Sequence, residues 1–220
     1  MNTASSRAVY SRASYSRAEY LSDAVVHVTG LAMAAGAVPV LIVLAALLRG
    51  DAPSLVGASV YGATLIAMIL FSALYNMIAR PDWNWLLRRL DHSAIYLKIA
   101  GTYTPFALIS GQGWVLTAVM WLAAAAGVAL KTISPARFRW AAMALYLGMG
   151  WAGFVAGGPM LAALPGPVVV LMITGGLIYT SGVAFYLWKT LPFHRTIWHV
   201  FVLAATAVFY AAVVVQVVIG

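Results

Sequence analysis

The stretch RRLDHSAIYLKIAGTYTPF at residues 88–106 combines charged side chains with a run that is apolar enough to lie in a membrane. Asp91 opens this run, and Lys98 follows seven residues later, two helical turns deeper and on nearly the same face. A carboxylate can act as a general base, whereas a buried ammonium can attract a lipid carboxylate or phosphate. Each residue also has a structural interpretation, because Asp91 can cap the helix and Lys98 can snorkel or bond to backbone carbonyls.

Other side chains that can bind a metal or move a proton lie at the same depth as Asp91. Ser72 and Asn76 are four residues apart and share one face of the preceding helix. Polar clusters in hydrocarbon usually face the bundle interior or a water-filled cavity. The alternatives are local: a bond from Ser72 to its own helix, a helix–helix contact by Asn76, and packing roles for His27 and His199. The predicted polar layer comprises Ser72, Tyr75, Asn76, Asp91, His92, His194 and His199.

The composition indicates an integral membrane protein. The 220 residues are 64% hydrophobic and only 8% charged, whereas soluble domains average about 45–50% apolar and about 25% charged residues. Without cysteine, the chain has no disulfide and no thiolate metal site. The basic excess is typical of cytoplasmic loops, and no aromatic RNA-binding motif or zinc-finger spacing indicates a nucleic-acid partner.

Seven segments approach the roughly 20 apolar residues that a membrane-spanning helix needs. The predicted fold class is therefore an all-α bundle of seven transmembrane helices. Because the fourth segment is the shortest, six helices is the alternative count. The segments are 23–48, 54–78, 92–111, 113–130, 138–156, 166–188 and 197–219.

The distribution of basic residues favours seven helices over six. With seven, every Lys and Arg except Arg49 and Lys98 lies in the N-terminal tail or in loops and helix starts on the side of the tail. By the positive-inside rule this side is cytoplasmic, which places the N-terminus in the cytoplasm and the C-terminus outside. The predicted organisation is a cytoplasmic tail at residues 1–21 and a single membrane domain at residues 22–220.

Four motifs together resemble the hemolysin III family, which is part of the progestin and adipoQ receptor superfamily and is more distantly related to alkaline ceramidases. The motifs occur in order along nearly the whole chain. They are YLSDAVVHVTG from Tyr20, SALYN from Ser72, LDHSAIYLKIAGTYTPF from Leu90 and WHVFVLAATAVFY from Trp198. The resemblance implies a seven-helix protein of the bacterial inner membrane with a cytoplasmic N-terminus.

The resemblance also implies a zinc site within the membrane near the cytoplasmic face. In the family pattern the ligands are a histidine after SxLY on helix 2 and two histidines four residues apart at the start of helix 7. The aspartate of LDH lies beside a zinc-bound water, with the helix 2 serine nearby. In this sequence Asn76 occupies the helix 2 ligand position, and Arg195 lies four residues before His199. Asparagine is a poor zinc ligand and arginine cannot be one.

Two arrangements are compatible with this altered pattern. Zinc is retained if an irregular helix start after Pro192 brings His194 and His199 together and Asp91 or another histidine supplies the third ligand. Zinc is lost if Arg195 provides a fixed positive charge that pairs with Asp91, while Asn76 forms hydrogen bonds. The sequence favours the second arrangement, because an arginine close to a dication is repelled strongly at low dielectric.

These observations leave several functions open. One is a lipid-binding protein of membrane-lipid homeostasis in which Arg195, Lys98, Tyr75 and His92 face a lipid or another anion, so that membrane lipids are its partners. The alternative is an enzyme, a zinc-dependent lipid amidase with Asp91 as the general base and Ser72 orienting water or substrate. A pore-forming hemolysin would need an amphipathic helix or a charged pore ring, which the sequence lacks. A Schiff base on Lys98 is a further option that an absorbance spectrum tests.

Overall fold

Helices account for all the regular secondary structure in the part of the chain that the computed structural model describes, residues 16–78, 80–133 and 138–220. The all-α prediction is therefore confirmed for these residues. Eight helices follow one another within them, and seven of the eight overlap the seven predicted segments. They are α1 Arg17–Leu48, α2 Ala52–Met77, α3 Pro81–Ser110, α4 Trp114–Ile133, α5 Arg139–Ala156, α6 Gly158–Ala163, α7 Gly166–Leu187 and α8 His194–Ile219.

Five of the helices in the described part of the chain, α1, α2, α4, α7 and α8, are long and apolar enough to cross a bilayer. The count of seven crossings therefore stays a prediction. The short helix α6 lies within the Gly/Pro-rich segment between α5 and α7, where the sequence predicts a loop.

Helix α1 begins six residues before its predicted bound at residue 23 because a capping box stabilises its first turn. The Glu19 backbone N–H donates to Ser16 Oγ at 3.1 Å, and the Ser16 backbone N–H donates to the Glu19 carboxylate at 3.0 Å. The helix therefore includes residues 17–21 of the predicted tail. Tail residues 1–15, which include Arg7 and Arg12, and the loop residue Arg137 lie outside the described residues.

Helix α3 occupies the centre of the bundle, where it contacts α2, α4, α5, α6 and α8. Glycines allow a close approach between α2 and α3, because a Cβ on Gly57 would lie 2.8 Å from Pro105 Cα and one on Gly101 would lie 2.2 Å from Thr64 Oγ1. Neighbouring helices therefore cover the inner polar residues of α3, which include Ser93, Lys98 and Thr104.

The start of α8 is fixed to the start of α1. Phe193, the residue before α8, adopts a left-handed conformation with φ 58°, and its backbone N–H donates to the Glu19 carboxylate at 2.9 Å. One turn further along, the hydroxyls of Ser22 and Thr196 lie 3.1 Å apart. Tyr20 on α1 donates to the Met77 carbonyl at the end of α2. The beginnings of α1 and α8 and the end of α2 therefore converge at one end of the bundle.

Candidate functional site

The first element of the site is a pair of buried residues on α1. Asp23 and His27 are one helical turn apart, and each is only 4% exposed. His27 Nδ1 lies 2.8 Å from the Asp23 carbonyl oxygen. Because a carbonyl can only accept, the His27 proton is on Nδ1. His27 Nε2 then accepts from the Ser72 hydroxyl of α2, which is 3.0 Å away.

The second element is His199 in the second turn of α8. Its Nδ1 lies 2.5 Å from Oδ1 of Asp23, and its ring contacts that of His27 edge to face with 4.5 Å between the centroids. Asp23 therefore bonds to two imidazoles from different helices, to His27 through its backbone carbonyl and to His199 through its carboxylate. Asp23, His27 and His199 each offer one atom that can bind a metal, and these three atoms lie within 4.8 Å of one another.

Helices α2 and α3 supply a hydroxyl, an amide and a carboxyl group to the site. The Asp91 carboxyl group of α3 lies beside the Ser72 hydroxyl and close enough to His199 and Asp23 for charge interaction. The Asn76 side-chain amide donates to the Ser72 carbonyl at 2.9 Å and lies 3.4 Å from the Ser72 hydroxyl. Two carboxylates, two imidazoles and a hydroxyl therefore converge from four helices.

Three of the residues chosen from the sequence, Ser72, Asp91 and His199, meet in this site. Two others lie next to it: His92 Nε2 is 3.9 Å from the Asp91 carboxylate, and the Tyr75 and His92 rings are in edge-to-face contact with 6.0 Å between the centroids. His92 thus lies beside Asp91, and Tyr75 lies beside His92.

The histidine and arginine at the start of α8 lie elsewhere. His194 and Arg195 line a surface recess together with Glu19 and Lys189, and Glu19 interacts electrostatically with His194. His199, in contrast, shares its site with the α1 pair. The site thus contains the predicted His199 together with a histidine other than His194.

Sequence reasoning missed the two α1 residues as members of the site. Their signal is present in YLSDAVVHVTG, where Asp23 and His27 are four residues apart and therefore on one face of an otherwise apolar helix. The local sequence does not show that their partner is His199 of α8, because His199 is 176 residues from Asp23 along the chain.

Lys98 lies in the wall of a separate, partly open cavity with a volume of about 90 Å³. The lining comes from α2, α3, α5, α7 and α8 and is mostly apolar and aromatic. Lys98 is 4% exposed, and its Nζ donates to Thr102 Oγ1 at 2.8 Å and lies 3.8 Å from the centre of the Tyr61 ring. The salt bridges found among the described residues do not include Lys98.

The donor set of the polar site fits the zinc that the family resemblance implies. Zinc takes imidazole nitrogen and carboxylate oxygen as ligands, and Asp23, His27 and His199 offer both kinds within a few ångströms. The hydrogen bonds from the Nδ1 atoms to oxygens of Asp23 are of the kind that orients metal-binding histidines.

Comparison with known proteins identifies a family and several relatives. The family model described as Haemolysin-III related matches residues 17–210. The chain is 39% identical over 196 residues to Hemolysin-3 of Bacillus cereus, covering 88% of this chain and 89% of that protein. It is 36% identical to the Hemolysin-3 homolog of Bacillus subtilis (strain 168), covering 88% and 92% of the two chains. It is 28% identical to the human Monocyte to macrophage differentiation factor, covering 76% and 72%.

Proposed function

Because this chain belongs to the Haemolysin-III related family, within the progestin and adipoQ receptor superfamily, we propose that it binds a membrane lipid inside the helix bundle and acts in membrane-lipid homeostasis. The chain is an integral membrane protein of the bacterial plasma membrane. The observation that carries the proposal is the buried side chain of Lys98 in the wall of an apolar cavity.

The lining of the cavity suits an acyl chain, because it is mostly apolar and aromatic. Lipid tails are already in an apolar environment, so moving one into the bundle gains little from the hydrophobic effect. Selectivity must therefore come from the few polar groups in the wall, and Lys98 is the charged one.

An anionic lipid group would compensate the charge of Lys98. An ammonium at this depth costs about 2.5–3.5 kcal/mol on insertion scales. The Thr102 hydroxyl and the Tyr61 ring stabilise it in part, but neither carries a negative charge. A carboxylate or phosphate in the cavity would neutralise the ammonium, and we therefore expect the ligand to be an anionic lipid.

Substitution of Lys98 by methionine tests this ligand class. The full-length protein, Lys98→Met and the control Lys131→Met, at the end of α4, are purified in a mild detergent, and bound lipid per chain is quantified by mass spectrometry. We expect an anionic lipid to copurify with the wild type and with Lys131→Met. Its amount should fall by about tenfold or more in Lys98→Met, which corresponds to a loss of about 1.4 kcal/mol. Equal retention by all three proteins would contradict the proposal.

We further propose that α3 and α5 also cross the membrane, which gives seven crossings with a cytoplasmic N-terminus and an external C-terminus. The 30 residues of α3 exceed the length needed for a bilayer core, and the 18 residues of α5 extend over about 27 Å, close to its thickness of about 30 Å. Residues 1–21 would then form the cytoplasmic end of the chain and residues 22–220 the membrane domain.

Alkaline phosphatase fusions test this topology, because the reporter is active only outside the cytoplasm. We expect activity for fusions after Gly50, Gln112, Leu164 and Gly220, and none for fusions after Arg80 and Thr190. An inactive fusion after Gly220 would contradict the proposed combination of a cytoplasmic N-terminus with seven crossings.

A second candidate function is hydrolysis of a lipid amide. The observation that favours it is the position of Asp91 and Ser72 beside the imidazoles of His27 and His199. A bound zinc ion would polarise a carbonyl and lower the pKa of its bound water. Asp91 would then accept a proton as the general base, and the Ser72 hydroxyl would orient the water or the substrate.

An amidase assay with a ceramide-like substrate tests this candidate on zinc-supplemented protein. Asp91→Asn should lower the rate by about 10²–10⁴-fold, the usual contribution of general acid–base catalysis. The control Asp82→Asn, in the first turn of the same helix, should retain the wild-type rate. Wild-type protein without activity, or Asp91→Asn with full activity, would exclude this candidate.

A further inference from the structure

We infer that the recess between the end of α7 and the start of α8 binds the headgroup of phosphatidylethanolamine, with Lys189 and Arg195 holding the phosphate and Glu19 the ammonium. The start of α1 and residues 189–195 line this recess. The inference goes beyond the proposed function and does not depend on it, because other residues line the cavity beside Lys98.

The recess lies at the depth of lipid headgroups. Helices α7 and α8 are each long and apolar enough to cross a bilayer, and the connection between their ends forms the recess. Trp188, directly after α7, and Tyr20, in the first turn of α1, are 56% and 40% exposed. Tryptophan and tyrosine are typical of the interface between membrane and water. A ligand with a polar headgroup and apolar tails therefore reaches the recess directly from the bilayer.

The connection between α7 and α8 supplies two cations for a phosphate. Lys189 and Arg195 line the recess together with Thr190, and both are close enough to His194 for charge interaction. Ammonium and guanidinium groups bind phosphate, the guanidinium through two parallel hydrogen bonds. The recess has a volume of about 400 Å³, within the roughly 300–1,000 Å³ of small-molecule sites. It therefore has room for a headgroup rather than for a single ion.

The recess also contains a carboxylate, which favours a zwitterion over a simple anion. Glu19 Oε2 accepts from the backbone N–H and the hydroxyl of Ser16. Glu19 Oε1 accepts from the backbone N–H of Phe193. An ionised carboxylate has about four acceptor positions, so one position on Oε1 stays available to a ligand. The negative charge of Glu19 attracts the ammonium of a zwitterion and repels a ligand that carries only a phosphate.

Ethanolamine matches these groups better than choline does. Its primary ammonium has three N–H donors, like the ammonium of lysine, and one of them can bond to Glu19 while the phosphate faces Lys189 and Arg195. The quaternary ammonium of choline has no N–H to donate. The ligand of the recess is therefore zwitterionic, in contrast to the anionic lipid proposed for the cavity beside Lys98.

A headgroup in this position would contact two parts of the bundle at once. It would bond to α1 through Glu19 and to the connection before α8 through Lys189. The hydroxyls of Ser22 and Thr196 already join α1 to α8 one turn further along. Phosphatidylethanolamine would therefore help to hold the starts of α1 and α8 together.

Native mass spectrometry of the full-length protein in a mild detergent tests the inference. The protein is titrated with phosphatidylethanolamine or phosphatidylcholine of identical acyl chains, and each affinity is obtained from the lipid-bound fraction. Lys189→Gln and Arg195→Gln remove the phosphate contacts, and Glu19→Gln removes the charge that faces the ammonium. The matched controls remove a positive charge elsewhere: Lys131→Gln in the last turn of α4 and Arg139→Gln at the start of α5.

We expect the wild type to bind phosphatidylethanolamine about tenfold more tightly than phosphatidylcholine, because one hydrogen bond between charged groups is lost with choline. Lys189→Gln and Arg195→Gln should weaken the binding of both lipids by about tenfold for the same reason. Glu19→Gln should weaken only that of phosphatidylethanolamine, and both controls should bind like the wild type.

Equal affinity of the wild type for the two lipids would overturn the inference, and this comparison does not require any variant to fold. A loss in Lys131→Gln or Arg139→Gln as large as that in Lys189→Gln would also overturn it.

Glycerophosphoethanolamine, which has the same headgroup without acyl chains, distinguishes a membrane lipid from a soluble phosphate ester. We expect it to bind at least about tenfold more weakly than the lipid, because the acyl chains concentrate the headgroup at the micelle surface. Equal affinity would contradict a lipid ligand. Lys98→Met separates the two proposals: it should keep the wild-type affinity for phosphatidylethanolamine, and loss of that affinity would contradict a separate site in the recess.

Discussion

The hydrogen bond between the Asp23 carboxylate of α1 and the His199 imidazole of α8 is the interaction on which the polar site depends. It joins the first and the last long helix of the described chain at 2.5 Å. The contacts of Ser22 with Thr196 and of Glu19 with Phe193 act in the same place and hold the two helix starts together. A carboxylate buried in an apolar bundle is destabilising unless it is paired, so the position of α8 against α1 is strongly specified at this point.

The central position of α3 explains how one helix tolerates two charged residues. Its neighbours cover Asp91 and Lys98 from several sides, and both face polar partners: Asp91 the Ser72 hydroxyl, and Lys98 the hydroxyl of Thr102. The seven residues between them correspond to about 10 Å of rise. A single rigid helix therefore presents one group to the polar site and the other to the apolar cavity.

The sequence predicted the helices well because their signal is local. Apolar runs define the long helices, and the capping box S-x-x-E at Ser16 and Glu19 is a readable signal for the start of α1. The depth of the residues along their helices indicated that Ser72, Asp91 and His199 lie close together, and the structure places Ser72 and His199 near Asp91. The contribution of α1 could not be predicted in the same way, because it depends on the packing of α1 against α8, a contact between residues far apart in sequence.

Helix geometry explains why His194 and His199 do not share a site. Helix α8 begins at His194, so the two side chains differ by about 140° around the axis.

A double-mutant cycle between Asp23→Asn and His199→Gln, measured as free energy of unfolding in detergent, tests most directly whether the α1–α8 bond builds the site. The account predicts a coupling energy of about 1.5–3 kcal/mol, as for a hydrogen bond to a charged group. Effects that add within about 0.5 kcal/mol would contradict it.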